Sequence, residues 1–109
     1  MAKFIYVYKG PATDMENMSQ EQAQQVMEAW KQWMQNVGEA LLDVGQPMAN
    51  GSSLVDDGSE GNATQLNGYS IVEAENMDAA RNLASGHPFL SEGNGNFAID
   101  IYELLPVPM

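Results

Sequence analysis

His87 is the side chain best suited to acid–base chemistry, because an imidazole is the only side chain whose ordinary pKa lies near neutral pH. It is the single histidine of the chain. Two interpretations are open. In the first, His87 is a general base that faces a carboxylate such as Asp43 or Asp100. In the second, it follows the end of a helix and interacts with the free carbonyls and the helix dipole; we expect His87→Ala to leave the fold nearly intact.

Asp100 is a carboxylate within an otherwise apolar segment, on the strand face that it shares with Ala98 and Tyr102. A carboxylate that is partly buried needs a hydrogen-bond partner or a raised pKa. The hydroxyls of Tyr6, Tyr8 or Tyr102 could supply that bond, and the group would then lie in a ligand cleft. In the alternative, Asp100 faces water on an edge strand and guards against edge pairing.

Trp30 and Trp33 belong to one predicted helix but cannot both lie at the centre of its apolar stripe. One is expected in the core and the other beside it. Either ring could form an aromatic pocket wall or simply fill the core. The candidate ligand-binding residues are therefore Tyr6, Tyr8, Trp30 and Asp100, and the candidate catalytic residues are His87 and Asp43.

Charge and composition exclude several classes of function. The 109 residues include 4 basic and 15 acidic side chains, for a net charge of −11. Phosphate binding needs a basic patch, so nucleic acid and anionic membranes are not expected partners. With no cysteine and one histidine, we predict no disulfide, no metal site and no cofactor. No apolar run reaches the length of a membrane span, and no leader is evident, so a cytoplasmic location is expected.

The spacing of apolar residues predicts one domain over 1–109, with strands and helices in the order βαββαβ. Ser19 followed by Gln22 is a capping-box pattern at the start of the long first helix, and Gly38 is its expected stop. Asn76 is the expected cap of the second helix. The predicted segments are strand 3–8, helix 19–38, strand 41–48, a hairpin arm at 53–55, strand 69–73, helix 76–86 and strand 97–104. This order indicates an α+β, ferredoxin-like plait with an antiparallel sheet and both helices on one face.

Alternation along the first and last strands gives the sheet two apolar faces. We expect the aliphatic residues to face the helices, which leaves an aromatic face uncovered. The predicted helix-facing set is Ile5, Val7, Ile99 and Ile101, and the predicted opposite set is Phe4, Tyr6, Tyr8, Ala98 and Tyr102. A bare face of that composition would be a large exposed patch, so a second copy is expected to cover it in a homodimer. In the alternative, the loop 49–67 covers it.

Several motifs, in this order, cover nearly the whole chain. They are Lys3-Phe4-Ile5-Tyr6-Val7-Tyr8, Met18-Ser19-Gln20-Glu21, Leu41-Leu42-Asp43-Val44-Gly45-Gln46-Pro47, Asn67-Gly68-Tyr69-Ser70-Ile71-Val72-Glu73 and Gly86-His87-Pro88-Phe89-Leu90. Together they resemble those of YCII-related proteins. The resemblance implies a dimeric α+β barrel, in which two plaits pack sheet to sheet.

The resemblance also bears on function. Enzymatic members of the family use a His–Asp pair whose histidine lies near the first helix; Asp43 matches the acid, but no histidine is present there. The Asp-Gly-Pro-Phe motif of many relatives is replaced here by Asp56-Asp57-Gly58-Ser59. We therefore expect a dimer that binds a small molecule or acts as an enzyme, with a cleft beside the sheet. The alternative is a non-catalytic dimeric module with a structural or regulatory role.

Overall fold

A computed structural model describes residues 1–11, 19–91, 93 and 95–107. Met18, the first residue of one quoted motif, lies outside that part of the chain. The described elements are β1 (Ala2–Lys9), α1 (Gln20–Val37), β2 (Leu41–Asp43), β3 (Ser53–Leu54), β4 (Glu60–Gly61), β5 (Leu66–Ala74), α2 (Met77–Leu83) and β6 (Ala98–Leu104), with short 3₁₀ turns at Gly38–Ala40 and Pro88–Leu90.

The main sheet has four strands in the order β2-β5-β1-β6, and every neighbouring pair is antiparallel. Both helices contribute to the core on one side of this sheet, through residues such as Trp33 of α1 and Ala80 of α2. Strands β3 and β4 form a separate two-stranded sheet. The predicted α+β, ferredoxin-like fold is confirmed.

The helix ends are fixed by the side chains that the sequence singles out. The hydroxyl of Ser19 accepts from the amide of Gln22 at 3.1 Å, and the Gln22 side chain accepts from the amide of Ser19 at 3.2 Å. The side chain of Asn76 accepts from the amide of Ala79 at 2.8 Å. These bonds satisfy amides that have no partner within the first turn of a helix, so the predicted capping is confirmed.

The predicted faces of β1 are wrong. Phe4 and Tyr6 are fully buried and Tyr8 is almost so, since all three lie beneath the helices. Ile5 and Val7 point to the opposite, outer face of the sheet, where Ile5 lies between Ile71 and Tyr102 of the neighbouring strands.

The correction has a physical reason: aromatic rings fill the deep space between sheet and helices, and the tyrosine hydroxyls find partners there. In β6, by contrast, Ile99 and Ile101 do pack against the core as predicted.

Gly45 allows the turn that follows β2. Its φ is +80°, and a Cβ built on it would overlap the carbonyl oxygen of Tyr69 in β5. Gly38 also has a positive φ, of +61°, but a Cβ there would meet nothing within 4 Å. A side chain at Gly38 would therefore cause backbone strain alone, whereas one at Gly45 would cause both strain and steric overlap.

Gly45→Ala should lower the free energy of unfolding by about 3 kcal/mol or more, because it adds overlap with the sheet to the strain of a positive φ. Gly38→Ala, the matched control, should cost less, about 1–3 kcal/mol, for the strain of its φ and ψ alone. Urea denaturation followed by circular dichroism measures both. Equal losses would show that the turn at Gly45 moves away from β5 freely.

Candidate functional site

His87 is held in place by the backbone on both sides of it. The chain reverses after α2 through Gly86, whose φ is +75°. His87 then caps the 3₁₀ turn Pro88–Leu90, and its Nδ1 accepts from the amide of Phe89 at 3.0 Å. Only 1% of the residue is exposed. His87 is thus a core residue, and not the loosely held residue at a helix end on which the expectation for His87→Ala depended.

A chain of hydrogen bonds runs from His87 across the inner face of the sheet. Because Nδ1 accepts, the proton of the neutral imidazole is on Nε2, which lies 3.0 Å from the hydroxyl of Tyr8. Tyr8 donates to the Ser70 hydroxyl at 2.8 Å, and Ser70 donates to the carbonyl of Val44 at 2.7 Å. Each donor is used once, so the chain has one direction and no free proton.

Aromatic rings surround the imidazole. The ring of Trp33 has its centroid 4.2 Å from that of His87, and Trp30 meets His87 edge to face at 4.7 Å. Trp33 is buried and donates its indole N–H to the carbonyl of Leu83 at 2.9 Å, whereas Trp30 is half-buried. This confirms that one tryptophan lies in the core and the other beside it.

Burial sets the protonation of this cluster. Loss of water around the imidazole lowers the pKa of His87 to about 4. The same effect, opposed by the hydrogen bond to Ser70, raises the pKa of Tyr8 to about 12. Burial, followed by the charge of Tyr8, raises the pKa of Tyr6 to about 12. At neutral pH all three groups are uncharged, as the dry surroundings require.

The two candidate catalytic residues do not form a hydrogen-bonded pair. Both ring nitrogens of His87 are already bonded, to Tyr8 and to the Phe89 amide. Asp43 is exposed, and its carboxylate accepts from the amide of Gly45 at 2.9 Å in the turn after β2. The geometry therefore provides no carboxylate to activate His87 among the described residues.

Asp100 lies on the outer face of the sheet and pairs with Lys9, whose Nζ is 2.9 Å from its carboxylate. This hydrogen bond raises the pKa of Lys9. The tyrosine partners considered for Asp100 are not used. Tyr6 and Tyr8 lie on the other face, and the hydroxyl of Tyr6 donates to the carbonyl of Ala80. Tyr6 and Tyr8 thus direct their hydroxyls into the protein rather than toward a cleft.

A groove lies beside Lys9, at the end of the sheet. Its volume is about 440 Å³, and it is lined by Lys9, Gly10, Pro11, Thr64, Gln65, Asn96 and Ala98. The polar residues of this groove are not among those predicted from the sequence. The sequence does contain a signal for the ion pair, because Lys9 and Asp100 have opposite charges and lie on the same face of the first and last strands. Thr64 and Gln65 carry no such signal, because their loop approaches β1 only in the folded chain.

Among the described residues, no three acidic or histidine side chains lie close enough together to hold a metal ion. Within the same part of the chain, no helix is both long and apolar enough to cross a membrane.

Comparison with known proteins decides the family. The model of the YCII-related domain matches residues 1–104. The chain belongs to the YCII-related family. No curated protein matches this YCII-related chain.

A solved structure similar to this YCII-related chain is 5-chloro-2-hydroxyhydroquinone dehydrochlorinase (TftG) from Burkholderia phenoliruptrix AC1100, in complex with 2,5-dihydroxybenzoquinone. The TM-score is 0.54 and the sequence identity 19%, over 92% of this chain and 90% of that one. At this identity the similarity supports the fold alone.

The single histidine makes the protonation of His87 directly measurable, since its ring gives one Cε1–H signal in a proton NMR spectrum. We expect a pKa of about 4 in the folded protein and about 6.5 in concentrated urea. Because the folded pKa is depressed, the stability contributed by neutral His87 is complete above pH 6.5. It is lost as the pH falls toward 4, by up to about 3 kcal/mol.

The unfolding free energy of His87→Gln should fall less steeply over this pH range, which separates His87 from the titrating carboxylates. A folded-state pKa near 6.5 would contradict the burial of the imidazole.

Proposed function

We propose that the chain is a small-molecule-binding protein of the YCII fold that works as a homodimer, each copy being a single domain. The observation that carries the proposal is the groove beside Lys9. Its volume of about 440 Å³ lies within the range of about 300–1,000 Å³ that is usual for ligand pockets. The groove adjoins the sheet, where the sequence predicts a cleft.

The groove favours a small ligand that is partly apolar and carries a few oxygen atoms, because its wall is mostly apolar and Lys9 is the charged residue that lines it. Lys9 supplies hydrogen-bond donors to the groove, and its ion pair with Asp100, which lies outside the lining, holds the ammonium in place. Gln65 and Thr64 add neutral polar groups. A small molecule that carries both carbonyl and hydroxyl oxygens would match these partners.

The similarity to TftG supports this class of ligand. TftG is a dehydrochlorinase, and in its solved complex it binds 2,5-dihydroxybenzoquinone. The two hydroxyls of that molecule are vinylogous carboxylic acids and are ionised at neutral pH, so its oxygens can accept hydrogen bonds from Lys9. It is therefore the first probe that we propose for this chain.

Binding is a better-supported function than catalysis by His87. Both imidazole nitrogens are bonded within the protein, and the imidazole is a weak base because of its burial. In this proposal His87 orients Tyr8. The catalytic roles of His87 and Asp43 stay predictions, as does the cytoplasmic location. The lack of a hydrogen-bonded His–carboxylate pair among the described residues favours the alternative of a non-catalytic dimeric module.

The outer face of the sheet is the surface that we propose for the homodimer. It carries apolar side chains from the three strands β1, β5 and β6: Ile5, Val7, Tyr69, Ile71, Tyr102 and Leu104. Tyr102 is 57% exposed and Leu104 39%. A contiguous apolar face of this kind is typical of an interface. With the corrected orientation of β1, Ile5 and Val7 replace Phe4, Tyr6 and Tyr8 at the expected interface. A second copy is still expected to cover this face.

Isothermal titration with 2,5-dihydroxybenzoquinone tests the groove. Lys9→Met should weaken binding about tenfold or more, because a charged hydrogen-bond donor is lost. Lys31→Met removes the same charge from the exposed surface of α1 and should leave the affinity unchanged. Equal affinities of the two variants would remove the groove from the proposal. Binding without turnover would support the non-catalytic alternative.

Sedimentation velocity at micromolar concentration tests the homodimer. Ile71→Asp should shift the chain from dimer to monomer, because it places two charges, one from each copy, at a two-fold interface. Met27→Asp, on the exposed side of α1, should leave the dimer intact. Circular dichroism checks that Ile71→Asp remains folded. A monomeric unsubstituted protein would contradict the proposed assembly.

A further inference from the structure

Residues 48–65, here called the arm, extend the ribbon formed by β2 and β5 beyond the end of the sheet. Pro47 forms a bridge with Gly68, and the amide of Met48 donates to the carbonyl of Asn67 at 3.1 Å. Farther out, β3 pairs with β4. The radius of gyration is 15.7 Å, against about 13 Å for a compact domain of this length. The chain is thus more extended than a lone compact domain needs to be.

The arm is held in one shape by its own turn. The carboxylate of Asp57 accepts from the amide of Ser59 at 2.9 Å and from its hydroxyl at 2.6 Å. The hydroxyl bond, followed by the amide bond, lowers the pKa of Asp57. Gly58 has a φ of +86°, and its amide donates to the carbonyl of Val55 at 3.0 Å. A preformed arm loses little conformational entropy when it binds.

The tip of the arm carries two apolar side chains that are exposed within one chain. Leu54 is 97% exposed, and Val55 is 38% exposed beside it. A lone two-stranded hairpin is marginally stable in water, and an apolar tip adds nothing to its stability unless it is covered. The arm therefore has the composition of a contact element rather than that of a solvent loop.

We propose that the arm docks on the outer sheet face of a second copy of this chain, with Leu54 against the partner's apolar side chains. The inference rests on the homodimer proposed above and adds an element to its interface. Charge makes this face a better site for the arm than the rest of an acidic surface. The arm carries Asp56, Asp57 and Glu60, all exposed. The outer face carries Lys3 and Lys9 together with Glu73 and Asp100, so its charges balance, in a chain with a net charge of −11.

The same charges disfavour other surfaces of the partner. The surface of α1 exposes Glu21 and Glu28 and has Lys31 as its only described basic residue. An arm with three carboxylates would be repelled by most of a strongly acidic protein. The outer face combines apolar side chains for Leu54 with balanced charges and an exposed ammonium at Lys3, so it repels the arm less than the surface of α1 does.

Sedimentation equilibrium tests the arm through Leu54→Asp. Each dimer contains the change twice, so the dissociation constant should rise on the order of 100-fold, from the loss of two buried leucine side chains. Met27→Asp is the matched control, because it adds the same charge at an exposed apolar residue of α1. It should leave the dissociation constant within about twofold.

A second measurement locates the arm directly. In Leu54→Cys the new thiol is the only one in the chain, and a short reagent that links thiols to amines reports its neighbours. Mixed isotope-labelled and unlabelled copies distinguish links between chains. We expect links from the introduced thiol of one copy to Lys3 or Lys9 of the other. Links that join only residues of one chain, or that reach Lys31 instead, would overturn the proposal.

The outcomes separate the two proposals. If Ile71→Asp dissociates the dimer while Leu54→Asp leaves its dissociation constant unchanged, the homodimer stands and the docked arm is wrong. If the unsubstituted chain is a monomer, both are wrong. If both substitutions weaken the dimer and Met27→Asp does not, the arm is part of the interface.

Discussion

The need to satisfy polar groups beneath the helices governs the interior of this protein. His87, Tyr8, Ser70 and the carbonyl of Val44 come from four separate segments, and one line of hydrogen bonds joins them. A buried donor that loses its partner costs about 1–3 kcal/mol. The chain of bonds therefore fixes how the turn after α2, the two central strands and the end of β2 fit together, because a shift of one segment unpairs the next.

The same constraint explains why His87, the side chain best suited to acid–base chemistry by its type, is poorly placed for catalysis. An imidazole among tryptophans and tyrosines remains neutral, and its proton is committed to Tyr8. At the end of the sheet, by contrast, Lys9 and Asp100 are polar groups that still face solvent, beside a groove. The interior thus supplies rigidity, and the sheet end supplies the groups that can meet another molecule.

Local signals in the sequence predict the elements of this fold well. The caps at Ser19 and Asn76 depend on contacts three residues apart, so they can be recognised without knowledge of the fold. The faces of β1 cannot be recognised this way, since both are apolar and alternation does not say which one meets the helices. Tyrosine makes the choice harder, because its ring favours burial and its hydroxyl favours water until a partner such as Ala80 is present.

The candidate site depends even more on distant contacts. The burial of His87 arises from Trp30 and Trp33, which lie more than fifty positions away in the chain. Periodicity places both tryptophans on α1 but does not bring His87 between them. Asp43 bonds its own turn instead. Residue type alone therefore identifies His87 as an unusual residue, but it does not predict that the imidazole is buried among aromatic rings.

Thr64 and Gln65 line both the groove beside Lys9 and a second cavity of about 340 Å³ between residues 49–52 and 61–66. They form a shared wall at the root of the arm. Any tilt of the arm that narrows one space must reshape the other, because the same backbone bounds both. Suppose that a ligand in one space favours one tilt of the arm. By thermodynamic linkage, it then changes the affinity of the arm for its partner by some factor, and the partner changes the affinity for the ligand by the same factor. The root of the arm thus borders two spaces at once, so an occupant of either space would contact the backbone that carries the arm.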